Sequence, residues 1–282
     1  MRRDAWQLIN FERFEAIPAA LARPRGSATA RILARSEWLL RRKSDGRFLA
    51  AVGPARALVP LDPAGRRLLR TLRQLLPALR GRRPADTLPL VSMHAALAEL
   101  AVPPDYGTQR GLALVAEPRG LAFAGVDRYR RPLWLTPGAA RGWRRLQAAA
   151  RADGVHLDAI SGYRSHAYQL GIFRRKLARG QTVAEILAVN AAPGYSEHHG
   201  GDALDIGTRG EPPAEESFER TAAFAWLARR AGEFGFTMSY PRDNPHGIVY
   251  EPWHWRHRDT AAPRRAFSVA AATPPPAPAS PA

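Results

Sequence analysis

From Thr136 onward the apolar positions fall into runs whose spacing separates helices from strands. Trp143, Leu146 and Ala150 recur at helical intervals behind Thr136-Pro137, so a helix is expected there that closes at Gly154. Val155 to Ser161 reads as a strand. Ser165 caps a second helix carrying Tyr168, Ile172, Phe173 and Leu177 and stopped by Gly180, and Thr182 with Glu185 forms a capping box for a third through Ile186 and Leu187. Gly194 to Gly201 is a glycine-rich loop and Ala203 to Ile206 a strand. Ser217 to Phe234 reads as a helix, and Phe236 to Tyr240 and Ile248 to His254 as two more strands around a Pro/Asp/Asn/Gly turn. Helices and short strands in this order, without regular strand–helix–strand spacing, predict an α+β fold with a small antiparallel sheet and flanking helices.

The first half is less periodic. Residues 1–60 alternate short apolar patches with arginines, and only Arg47 to Pro60 has room for one or two strands. Asp62-Pro63 followed by Leu68, Leu69, Leu72, Leu75, Leu76 and Leu79 predicts one amphipathic helix, with an Asp cap, Pro at its first position and Gly81 just past its end. Gly81 to Leu88 is a basic, Pro-containing connector and a candidate domain boundary. Ser92 can cap a short helix ending before Pro103-Pro104, and Tyr106 to Leu135 reads as loops and short strands. The Ala- and Pro-rich stretch from Ala261 to Ala282 has little to bury and is expected to be a disordered tail.

Composition narrows the chemistry. The chain has 282 residues, 45% of them apolar, and no cysteine, which removes thiolate ligands, disulfides and cysteine nucleophiles and leaves His, Asp and Glu for any metal site. Lys and Arg number 42 against 25 Asp and Glu, a net charge of +17, and residues 1–86 hold 19 against 7, a local excess of +12. Such a balance favours contact with a polyanion such as anionic lipid or an acidic wall polymer, set against the bland alternative of solvated basic faces. No aromatic-interleaved RNA motif, zinc finger or helix-turn-helix pattern accompanies the charge, so no specific nucleic-acid partner is expected. No apolar run is long enough for a transmembrane segment, and Asp4, Glu12, Glu15 and Pro18 interrupt any signal-peptide pattern.

Two segments concentrate chemistry. In Ser196-Glu197-His198-His199-Gly200-Gly201-Asp202-Ala203-Leu204-Asp205, histidines on a loop that glycines allow to fold back precede a carboxylate on the next strand. In Glu251-Pro252-Trp253-His254-Trp255-Arg256, a carboxylate and an imidazole lie three residues apart, on a strand that Pro252 should bend or place at an edge. Imidazole and carboxylate can meet one ion from these directions at roughly 2.0–2.2 Å, and three protein ligands with one open position are the pattern of catalytic zinc. With two carboxylates present, one can ligate and the other act as base; spacing alone does not assign them. Either motif by itself is weak, because each occurs often as an ordinary ion pair.

Together with Ser161-Gly162-Tyr163-Arg164-Ser165, the segments Ser-x-His-x-x-Gly-x-Ala-x-Asp at 196–205 and Glu-x-Trp-His-x-Arg at 251–256 resemble the VanY-type D-alanyl-D-alanine carboxypeptidases. These are the zinc DD-peptidases that share their fold with the Hedgehog signalling domain, and order and spacing match over about residues 130–260. The resemblance implies a small α+β domain whose antiparallel sheet carries one Zn2+ in a cleft. It further implies His198, Asp205 and His254 as ligands, Glu251 as catalytic base, and Arg164, helped by Ser196, at the substrate's terminal carboxylate. Arg164 has independent physical support, since a guanidinium presents a planar fork to a carboxylate. Gln169 also matches a family position and is a candidate substrate contact, with a plain helix-surface glutamine as the alternative. One position departs: His199 stands where the family usually has Gln, which leaves His199 behind the ligands or facing substrate, and an exchange with His198 open. Trp253 and Trp255 are candidates for the cleft wall or for the core. His156, His166, His246 and His257 read as structural or surface residues.

The organisation expected is thus a basic N-terminal region of unknown role over 1–86, a zinc metallopeptidase domain over 87–260, and the tail over 261–282. The implied function is hydrolysis of a peptidoglycan stem peptide or muropeptide with release of C-terminal D-alanine. The alternatives are an L,D-carboxypeptidase, an L-Ala-D-Glu endopeptidase, or a non-hydrolytic module that binds metal or wall peptide, against which Glu251 argues because a silent cleft needs no base. Such a substrate implies the periplasm or cell envelope, whereas the absence of a visible export signal leaves a cytoplasmic site open.

Overall fold

The computed structural model describes residues 6–24, 26–79 and 86–258. Five strands and one helix, α1 (Ser27–Ala34), lie within the first 60 residues: β1 (Gln7–Asn10), β2 (Phe14–Pro18), β3 (Trp38–Arg42), β4 (Phe48–Val52) and β5 (Leu58–Pro60). Only the last two fall where strands were expected. Of the others, β2 escaped the pattern because a strand buried on both faces loses its two-residue alternation; every residue of β2 is buried, including Glu15, which is paired with Arg41. The expected helix after Asp62 is two helices, α2 (Pro63–Arg67) and α3 (Leu69–Leu75), separated at Leu68 and followed by a 3-10 turn over Leu76–Leu79. The Asp62 cap forms, accepting from the Gly65 N–H at 2.6 Å. Both helices pack on one core, with Gly65 against the Leu49 carbonyl and Leu72 fully buried. Gly81 lies outside the described residues, as do residues 261–282.

The first sheet does not end with the N-terminal region. Its order is β5-β4-β3-β2-β1-β6-β7, where β6 (Gly120–Val126) and β7 (Pro132–Leu135) form a hairpin added to β1 across the expected boundary at residue 86. Alternation lets this hairpin serve two cores. Leu121, Phe123 and Trp134 face the cluster of Leu8, Ile17, Leu39 and Ala51, while Ala122, Ala124, Leu133 and Leu135 face that of Trp143, Leu146, Leu204 and Trp255.

The second sheet follows its sequence in three of its four strands. It has the order β10-β11-β9-β8, antiparallel throughout, from β8 (Asp158–Ser161), β9 (Ala203–Gly207), β10 (Phe236–Met238) and β11 (His254–His257). Around it lie α6 (Pro137–Ala152), α7 (His166–Leu177), α8 (Val183–Val189) and α9 (Ala222–Arg230), while α4 (Met93–Glu99) and α5 (Tyr106–Gln109) precede the β6–β7 hairpin. Thr136, Ser165 and Thr182 cap α6, α7 and α8, the last with the reciprocal Glu185 bond. Two elements differ from expectation. Ser217 to Phe234 is α9 between two 3-10 turns, with Thr221 acting as a new cap. The strand expected over Ile248 to His254 instead starts at His254. β11 is paired on both sides, so Pro252, which has no N–H to donate, must precede it; Glu251 consequently sits in the turn leading into the strand, its carbonyl accepting from the His254 N–H at 3.1 Å.

Candidate metal and substrate cleft

Strand register brings the chemical residues together. His254 is the direct antiparallel partner of Asp205, and on the other side of β9 Asp205 is opposite Ser161, just past an irregularity in the β8 pairing. His198 arrives from the 3-10 turn Glu197–Gly200, which Gly201 closes with φ +74. A Cβ at Gly201 would lie 2.5 Å from Leu121, so this turn is pressed onto the β6 hairpin in a way only glycine permits. Gly162 is equally confined, with a Cβ 2.7 Å from Leu133, and its carbonyl meets His198 Nδ1 at 2.8 Å.

That last bond sets a tautomer. A carbonyl only accepts, so His198 Nδ1 carries the hydrogen and Nε2 is left as a lone pair, 3.2 Å from Asp205 Oδ2. Burial lowers the pKa of His198, with Asp205 opposing, which keeps the ring neutral as a ligand must be. His254 is bonded on both sides: Nε2 to Glu197 Oε2 and Nδ1 to Asp205 Oδ1, each at 3.0 Å. Burial disfavours its charge, yet the bonds to Asp205 and Glu197 prevail and raise its pKa to about 10. A metal ion held by His254 would therefore compete with a proton. Asp205 is buried, but His198 and His254 hold its carboxyl far below the usual range. One ligand atom from each of His198, Asp205 and His254 lies within 4.8 Å of the others. Two neutral-capable imidazoles and one anionic oxygen, converging with their remaining nitrogens anchored, fit a borderline-soft divalent ion such as zinc.

Glu251 sits beside this set, with Oε2 3.8 Å from His254 Nδ1. Burial raises its pKa to about 7, Asp205 and Glu197 adding to the effect and His254 and Arg164 opposing it. Arg164 approaches from the end of β8; its guanidinium is 4.0 Å from Asp205, within 3.3 Å of Gln169 Oε1 and 3.4 Å of Ser161 Oγ. Gln169 is buried rather than on a helix surface: its amide donates to the Ala191 carbonyl at 2.9 Å while its oxygen steadies Arg164. Ser196, Tyr240 and Trp253 complete the walls of one cleft of about 370 Å³. Trp255 lies in the core.

His199 is neither a ligand nor substrate-facing. It is fully buried, the Gly194 N–H donates to its Nε2 at 3.1 Å, and its Nδ1 meets the Arg164 carbonyl at 2.6 Å. Both ring nitrogens meet backbone, and it is His198 that joins Asp205 and His254 in the group that could hold a metal ion.

Glu197 is assigned no role by the motif itself. It bonds His254 on one side and Arg256 at 2.8 Å on the other, and although burial opposes ionisation these partners bring its pKa to about 2. The available signal was general: a metal-binding imidazole usually gives its other N–H to a carboxylate. Tyr240, stacked on His254 with ring centroids 4.9 Å apart, had no sequence signal at all.

The model of the VanY family, D-alanyl-D-alanine carboxypeptidase, matches residues 132–260. The chain is 32% identical over 132 residues to the bifunctional D-Ala-D-Ala dipeptidase and carboxypeptidase VanXYC of Enterococcus gallinarum, covering 44% of this chain and 67% of that protein. It is 38% identical over 119 residues to a D-alanyl-D-alanine carboxypeptidase of Enterococcus faecalis, covering 39% of this chain and 42% of the relative. Among solved structures, it is similar to the vancomycin-resistance D,D-pentapeptidase VanY of a VanB-type cassette in complex with Zn(II), at 33% identity and a TM-score of 0.37 over 44% of this chain and 72% of that one. The chain spans about two fifths of the length of some curated relatives. With 67% of VanXYC covered at 32% identity and the VanY family model matching residues 132–260, the chain belongs to the VanY D-alanyl-D-alanine carboxypeptidase family.

Proposed function

We propose that the protein is a zinc-dependent D,D-carboxypeptidase that removes the C-terminal D-alanine from peptidoglycan stem peptides. The observation that carries this reading is the register pairing of Asp205 with His254, which assembles a His/Asp/His donor set with Glu251 and Arg164 in the same cleft. His198, Asp205 and His254 would hold the ion, which when bound supplies Lewis-acid polarisation of the scissile carbonyl and lowers the pKa of water toward neutrality. Arg164 and Ser196 orient the peptide by its terminal carboxylate, and Gln169 keeps the guanidinium aimed. Glu251 takes the proton from the attacking water and returns it to the leaving amine. A carboxylate with a pKa near 7 is suited to both transfers.

Incubating the zinc-loaded protein with a D-Ala-D-Ala-terminated pentapeptide should release one D-alanine, read by mass spectrometry. Loss of a different fragment would make it an L,D-carboxypeptidase or endopeptidase of the same metal class. No cleavage with metal bound would make the cleft a binding module. The base must be ionised, so activity should fall as pH drops; because the cation favours carboxylate, the midpoint of that limb should lie no higher than about 7.

The substrate puts the site of action at the cell envelope, which fractionation of native protein checks. Among the described residues no helix is long and apolar enough to cross a membrane. The basic N-terminal region supports retention on an anionic wall polymer or lipid, since Arg66, Arg67, Arg70 and Arg73 are exposed along α2 and α3. Deleting residues 1–86 is a poor test, because it removes five strands that cover one face of the β6–β7 hairpin. Replacing those four arginines by Gln should instead abolish salt-sensitive retention and leave turnover unchanged.

A further inference from the structure

One buried ion pair outside the cleft ties the N-terminal sheet to the peptidase half. Lys43, immediately after β3, has a fully buried side chain, and its ammonium pairs with Glu117, whose side chain is 4% exposed. Ammonium groups are almost never buried to this degree without a specific partner, and neither residue takes part in the chemistry described above.

Glu117 is shared out among three elements. One oxygen accepts from Lys43 and from the Tyr163 phenol; the other accepts from the His166 backbone N–H at 2.8 Å, with His166 Nδ1 at 3.3 Å. His166 is the first residue of α7, so the carboxylate sits where a helix has unpaired N–H groups and a positive end. Tyr163 is held a second time, by Asn10 of β1 at 3.3 Å, and its ring packs against the Leu8, Ile17 and Leu39 cluster. Tyr163 and His166 bracket Arg164. Between them the Arg164 N–H donates to the His198 carbonyl, and its own carbonyl meets His199, whose ring lies 4.3 Å from that of His166.

We propose that Lys43 is a positioning residue for Arg164: by pairing with Glu117 it fixes Tyr163 and His166 on either side of the guanidinium-bearing residue, so the N-terminal sheet is part of the site that recognises the substrate carboxylate. This rests on the reading of Arg164 as the carboxylate-binding residue. It gives residues 1–86 a role that needs no second ligand. It also explains why β6 and β7 join the N-terminal sheet, since Glu117 is carried on the segment that enters β6.

The test uses the zinc-loaded full chain and two probes, N-acetyl-D-Ala-D-Ala and its C-terminal amide, compared by competition. Lys43→Met should keep stoichiometric zinc but reduce the preference for the acid over the amide by up to about a hundredfold, the cost that a misplacement of about 1 Å from a remote substitution can carry. Arg164→Ala should erase the preference, and the double variant should fall no further than Arg164→Ala alone. A folded, zinc-loaded Lys43→Met with wild-type preference would overturn the proposal, because a merely structural ion pair would move the melting temperature and not this ratio. Should Lys43→Met fail to fold, Tyr163→Phe removes one of the links from Glu117 to the Arg164 loop while keeping the ion pair, and a wild-type ratio there overturns it equally. If Arg164→Ala itself leaves the ratio intact, it is the reading of Arg164 that fails.

Discussion

The two buried polar clusters of this chain behave in opposite ways. Around Glu117, the charges are closed: one ammonium, one carboxylate, a phenol and a backbone N–H satisfy one another at the junction of the halves. Around Asp205 they are open. Asp205, Glu197 and Glu251 crowd His254, whose pKa rises to about 10, while that of Glu251 is pushed to about 7. Glu197 is matched by Arg256 at 2.8 Å and Asp205 lies against both His198 and His254, whereas Glu251 stands 3.8 Å from His254 with a pKa suited to exchanging a proton. The closed cluster holds geometry, and the open one stores reactivity.

The largest effect should come from breaking the open cluster at its base. Glu251→Gln should lower turnover by about a thousandfold, within the range of general-base contributions, while zinc content stays at one per chain. Loss of zinc instead would mean that base and ligand are exchanged. The same variant should be more stable than wild type when metal-free. The folded carboxyl titrates near 7 and the unfolded one near 4.5, so the folded state binds more protons between these values and stability falls as pH rises through that window. Above pH 7 the gain has an upper limit of about 3 kcal/mol, measurable by denaturation of the chelated protein at pH 8 against pH 5.

The closed cluster predicts the reverse sign. Lys43→Ala strands a buried carboxylate and should destabilise the fold by about 3–5 kcal/mol, whereas Lys43→Met with Glu117→Gln, which removes both charges, should cost much less. If the single and double variants unfold alike, the pair is not a closed unit. Glu197→Gln should have a smaller effect, weakening zinc binding about 10–100-fold in chelator competition by loosening His254. Thr182→Ala, which deletes the α8 cap, touches neither cluster and should cost about 1 kcal/mol of stability with unchanged activity.

Much of the peptidase half could be read directly. Thr136, Ser165 and Thr182 act through bonds to N–H groups a few residues away, and such local chemistry is visible in a linear text. The metal-site motif is legible for a related reason: a turn followed by a strand puts His198 and Asp205 close with little help from elsewhere. Of the N-terminal strands β1 to β3 were not legible, and for β2 the reason is plain: burial of every residue removes the alternation that marks a strand. β11 starts at His254, six residues beyond the Ile248 that the pattern predicts, since whether Pro252 can lie in a strand depends on which neighbours that strand has.

What the sequence by itself determined is the set of reactive groups and their local frames: the donor types, the caps, the glycine turns, and the absence of cysteine. What only the tertiary structure decided is which groups meet. The opposition of Asp205 and His254 is a register between strands 49 residues apart. The enclosure of His199 by backbone, the bond from Glu197 to His254, and the reach of Lys43 to Glu117 across 74 residues likewise exist only after folding. Local bonds depend on spacing along the chain, whereas pKa shifts and ligand geometry depend on burial and distance, which the chain acquires only when its two cores close around the β6–β7 hairpin.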